Sequence, residues 1–183
     1  MNQADKVLTQ LIWPKYKAYK RGREVIRSGF GLCGAYGDVY ADGMRRNPRS
    51  FETILEHQAA TAVLTVMILK LFPTILPRTA HQRLIELMLT HDVVEVESGD
   101  LADDGHLDKS EKAKEEHRAM ANFTEGIWNN ADAPLLHDFD LLESTDGRPT
   151  EATDGESLFG QLAFMIDKME AILQLAFFES QGV

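Results

Sequence analysis

The stretch FETILEHQAATAVLTVMILKLF, residues 51–72, decides the fold. From Ala59 onward it is apolar almost all round, so a helix there belongs at the centre of a bundle. Ser50 stands as its N-cap, Glu52 lies near the positive helix end, and Pro73 stops it. The spacing therefore predicts a central helix over residues 51–72.

Other helices follow on both sides. Pro77 opens a second, over residues 78–96, which closes before Gly99. The charged run 109–130 alternates in sign and reads as a helix with one solvent-facing side. A polar loop holding Pro149 and Gly155 leads to a last helix over 158–178. A short helix over 3–20 is interrupted by Pro14, and 21–49 is glycine-rich and irregular. Strand signals are nearly absent, so the expected class is all-α. The expected organisation is an N-terminal helix and Gly-rich loop over 1–43, packed on a core over 44–183.

Composition sets further bounds. The chain has 183 residues, 44% apolar and 26% charged, which is the composition of one globular domain. Acids outnumber bases 29 to 19, for a net charge of -10. That balance argues against duplex nucleic acid as a partner. A single cysteine, Cys33, excludes an internal disulfide and favours a reducing compartment. We read no transmembrane run and no signal peptide, so the expectation is a cytoplasmic protein with no membrane partner.

Gly29, Gly31 and Gly34 fit G-x-G-x-x-G literally. That fingerprint needs a preceding strand and a following helix, and neither is predicted, so we read a loop.

The chemically informative residues are polar groups inside apolar helices, where an unpaired charge is costly. His57 shares a face with Ile54, Thr61, Leu64, Ile68 and Leu71. His91 shares one with Leu84, Leu87 and Met88. Asp92 points toward Ile85, Met88, Leu89 and Val96. Asp167 sits among Phe164, Ala171, Leu175 and Phe178 on a helix that is apolar on most sides. Two imidazoles and two carboxylates suit a divalent transition ion (Mn, Co, Fe, Ni or Zn) better than Mg or Ca. Each also has a plainer reading: a satisfied core histidine, or Asp167 paired with Lys168 or Arg118. A second His-Asp dipeptide, His137-Asp138, falls in an acidic stretch and reads as solvated.

Taken together, Glu56-His57, His91-Asp92 and Asp167 resemble the H…HD…D signature of the HD-domain metal-dependent phosphohydrolases. The stretch His91-Asp92-Val-Val-Glu95-Val-Glu-Ser-Gly99-Asp100-Leu101 is similar to the branch of bacterial 5'-deoxynucleotidases. The resemblance implies a helical bundle holding one divalent ion through His57, His91, Asp92 and Asp167. It implies that Glu95 and Asp100 serve catalysis and that phosphate leaves a nucleoside monophosphate or a similar small ester. Oligomers are common in this branch, so a homodimer is an expectation.

The chain departs from the branch in one place. No Trp lies near residues 40–50, where an Arg-Trp element would help hold phosphate and base. Arg27 and Phe30 resemble that element but stand farther upstream, and Arg45, Arg46 and Arg49 are alternative phosphate clamps. Such cations are needed, because a net charge of -10 repels an anionic substrate. His106, His117 and His137 lie where two-metal relatives carry extra ligands; their polar surroundings read as surface, and the site as mononuclear. The rival function is a non-catalytic metal- or nucleotide-binding regulator, which the missing Trp favours. A carboxylate-bridged di-iron protein is set aside, because no Glu-x-x-His occurs.

Overall fold

Thr53 opens the helix α1 (Ile54–Leu71) in the computed structural model. The structure describes residues 53–98, 109–127, 129–130, 133–145 and 155–180, together with Lys6, Thr9, Gln10, Trp13, Pro14 and Tyr16. Arg27, Phe30, Arg45, Arg46, Arg49, Asp100, His106 and the glycine motif lie outside the described residues, as does the expected boundary at 43.

The N-cap of α1 is Thr53 and not Ser50. Thr53 and Glu56 form a capping box: the Glu56 N–H donates to Thr53 Oγ1 at 3.2 Å, and the Thr53 N–H donates to Glu56 Oε2 at 2.8 Å. Two otherwise unsatisfied N–H groups are thereby answered. The helix ends before Pro73 as expected, with the Phe72 N–H on the Ile68 carbonyl at 2.8 Å.

The second predicted helix is divided. α2 (Arg78–Thr90) begins after Pro77, but His91–Val94 winds as a 3-10 turn, and α3 (Glu95–Ser98) resumes the α form. The reason lies in who occupies the backbone. The Met88 carbonyl, which an α-helix would offer to the Asp92 N–H, lies 3.0 Å from Thr61 Oγ1 and 3.3 Å from His91 Nδ1. The Asp92 and Val93 N–H groups turn to the side-chain oxygen of Gln58 on α1, at 3.3 and 3.0 Å, when its amide is oriented to accept them.

α4 (Lys109–Thr124) stops short of residue 130, and Gly126 follows at φ 77°, a conformation that favours glycine. Two-residue strands β1 (Asn129–Asn130) and β2 (Ala133–Pro134) then pair antiparallel. The polar loop predicted next in fact begins with a helix, α5 (Leu135–Glu143), which buries Leu135, Asp138, Phe139 and Leu142. The last helix, α6 (Gly155–Ser180), is longer than predicted at both ends. The class is all-α, as the sequence implied.

α2 packs against α1, α5 and α6, and α4 lies over α5 and the 3-10 turn. Leu84, Leu87, Met88, Met120, Phe139, Phe159 and Ile166 form the core between them. Gly160 permits a close approach of α5 and α6, since a Cβ there would meet the Leu141 carbonyl at 2.8 Å. By length and mean hydropathy (18 residues, 1.4) α1 could cross a membrane, which the sequence reading had not anticipated. Within the bundle, however, its buried face carries polar groups, His57, Gln58, Thr61 and Thr65, beside Ile54, Ala62 and Leu69. Its outward face exposes Val63, Val66, Met67 and Leu71, and α6 exposes Met165, Ile172, Leu173 and Phe177.

Candidate metal centre

Three elements bring the polar groups together. His57 comes from the first turns of α1 and is fully buried. His91 and Asp92 come from the 3-10 turn, and Asp167 from the middle of α6. His57 Nε2 lies 3.0 Å from Asp167 Oδ1 and 3.6 Å from Asp92 Oδ2. His91 Nε2 lies 3.2 Å from Asp92 Oδ1 and 3.7 Å from Asp167 Oδ1. The two rings meet edge to face, with centroids 5.4 Å apart. One ligand atom each from His57, His91 and Asp92 fits within a mutual distance of 4.8 Å, close enough to hold a single ion.

The other side of each ring is occupied. His57 Nδ1 lies 2.6 Å from Glu170 Oε2, and His91 Nδ1 lies 3.3 Å from the Met88 carbonyl. With the ring proton placed on Nδ1, where each ring meets an acceptor, Nε2 carries the lone pair. Both lone pairs then face the same two carboxylates. His91 Nε2 is buried with no hydrogen-bond partner. A buried nitrogen of this kind, beside acid oxygens, is the donor pattern a cation satisfies. The residues present therefore fit a divalent metal.

The electrostatics agree. Burial pushes the Asp167 carboxyl up, but contacts with His57 and His91 and the Lys168 charge outweigh it and hold Asp167 well below the usual carboxylate range. Lys168 Nζ reaches Asp167 Oδ2 at 2.7 Å, one of the pairings the sequence allowed. Asp167 thus stays ionised, as a ligand requires. Glu95 opens α3 with its N–H on the Asp92 and Val93 carbonyls, and its Oε2 is buried. Farther out, Glu143 keeps contact with solvent on one side; lost hydration on the other and the Glu116 charge push it up to about 7.

Three groups here were not singled out from the sequence: Glu170, Gln58 and Glu143. Glu170 carried a usable signal, standing three residues after Asp167 and so on the same side of α6. The reading of His137-Asp138 needs correction. His137 is exposed, 3.4 Å from Glu156 Oε1, but Asp138 is buried and takes the Arg83 guanidinium through both oxygens, one at 3.0 Å. Arg83 stays charged beside it, its pKa raised by that hydrogen bond. His117 is half exposed and pairs with Asp140 at 2.7 Å, away from the cluster.

No curated protein and no solved structure gives a match to the chain. The model of the HD domain family matches residues 41–182, a span that contains every residue of the cluster. An HD domain is what His57, the His91-Asp92 pair and the distant Asp167 imply in the sequence. Over most of its length, then, this chain belongs to the HD-domain family, a superfamily of hydrolases.

Proposed function

We propose that the protein is a metal-dependent phosphomonoesterase acting on a nucleoside monophosphate or a similar small phosphate ester. The observation that carries this reading is the shared aim of His57 Nε2 and His91 Nε2 at Asp92 and Asp167, with both Nδ1 sides already engaged. In this reading His57, His91, Asp92 and Asp167 hold one divalent transition ion (Mn, Co, Fe, Ni or Zn). Such an ion, when bound, polarises a phosphoryl oxygen and acidifies a water. Glu95 adjoins the ligand turn and accepts the proton of the attacking water. Asp100 protonates the leaving oxygen or binds the sugar hydroxyl. Arg27, Arg45, Arg46 or Arg49 clamps phosphate, and Phe30 takes the place of the missing Trp beside the base. The 5'-deoxynucleotidase-like specificity, a homodimer and a cytoplasmic location belong to the same proposal. The exposed apolar stripes on α1 and α6 support pairing of two copies.

The test is phosphate release from a panel of nucleoside monophosphates, with Mn²⁺, Co²⁺ or no added metal. Release should require metal. Glu95→Ala should lower the rate by about 10²- to 10⁴-fold with metal content unchanged, while His91→Ala should lower metal content itself. Inert substrates with metal still bound would favour a non-catalytic regulator. His91→Ala with unchanged metal content would overturn the site.

A further inference from the structure

Glu170 has no assigned role, yet its placement is specific. It stands on α6 one turn after Asp167 and is buried, at 5% exposure. Asp167 Oδ1 meets Nε2 of His57 at 3.0 Å, and Glu170 Oε2 meets Nδ1 of the same ring at 2.6 Å. One turn of one helix therefore holds both nitrogens of a single imidazole. A carboxylate this deeply buried is costly unless its partner is charged or a strong donor. His57 is such a donor when its ring is protonated at Nδ1. His91 differs, since its Nδ1 rests on a neutral carbonyl.

We propose that Glu170 is a positioning residue that sets the tautomer of His57, keeping its proton on Nδ1 so that Nε2 presents the lone pair that binds the ion. The inference rests on the metal reading above and extends it to the layer behind the ligands. Without Glu170, the stronger remaining acceptor for a His57 proton is Asp167, at Nε2. The proton would move to the nitrogen that must carry the lone pair. A carboxylate behind a ligating imidazole also makes it a more basic ligand. The two histidines would then be unequal, with His57 the better donor.

The experiment uses the full chain in three forms: wild type, Glu170→Ala and Glu170→Gln. Glutamine keeps the volume and an acceptor oxygen, so Glu170→Gln guards against a folding defect. Two readouts are taken: Mn²⁺ and Co²⁺ affinity by titration calorimetry, and the His57 ring-nitrogen shifts in the metal-free protein by ¹⁵N NMR. Glu170→Ala should bind metal about 10- to 100-fold more weakly and should lose the proton at Nδ1. Glu170→Gln should keep the Nδ1 proton and recover most of the affinity. A Glu170→Ala protein with wild-type affinity, or with its Nδ1 proton retained, overturns the role of Glu170 alone. Wild-type protein that binds neither ion overturns the metal reading itself and this inference with it.

Discussion

At the scale of single residues, burial sorts the two His-Asp dipeptides. In His91-Asp92 both residues turn into the cluster, whereas His137-Asp138 splits, with the histidine outside and the aspartate inside. In the core, Arg83 answers both oxygens of Asp138. Arg83→Met should therefore leave an unpaired buried anion and lower stability by about 3 kcal/mol. Adding Asp138→Asn in the same chain should restore part of the loss. Denaturant midpoints for the single and double variants check this; equal midpoints would mean the pair contributes nothing. The same scale shows what could be read in advance. His57, His91, Asp92 and Asp167 were legible because each interrupts an apolar face. Glu170 was passed over although it follows Asp167 by one turn, because the imidazole it meets lies 113 positions away in the chain.

At the scale of elements, periodicity located α1, α2, α4 and α6, overrunning the ends of the first three and falling short of α6 at both ends. Residues 78–96 are periodic throughout, and only the tertiary contacts break the helix at His91. Thr61 and Gln58 divert the backbone groups that an unbroken helix would pair internally. Neither residue looks like a helix breaker, so the break could not be read along one strand of sequence. α5 was missed for a different reason: Leu135, Phe139 and Leu142 supply the helical period, but three acids within nine residues gave the stretch a loop-like composition. Gln58→Leu tests the diversion. It leaves the Asp92 and Val93 N–H groups without their acceptor at a buried site, at about 1–3 kcal/mol for each. Thermal melts should show the loss, and metal titration should show weaker binding, because Asp92 rides on that turn. A variant that melts earlier yet binds metal normally would separate the turn's stability from the site's geometry.

At the scale of the whole molecule, the cluster is where distant parts of the chain meet. His57 and Asp167 stand 110 positions apart, and His91 and Asp92 lie between them. All-α architecture was readable from composition and period; that these three elements converge on one point was readable only from the spacing of the HD signature. If the site holds an ion, chelation should lower the melting temperature, with each ligand-bound state at 100 times its Kd contributing about 2.7 kcal/mol. Calorimetric scans with and without EDTA measure that shift, and no shift would mean that the ion, if bound, does not bias folding. One consequence concerns chain topology. An ion gripping residues 57 and 167 closes a loop spanning most of the chain, and the entropy of closing a loop grows only slowly with its length. The ion would then act as a late clasp: helices α2, α4 and α5 could assemble from contacts nearer in sequence, and metal would lock α1 to α6 once they had arrived.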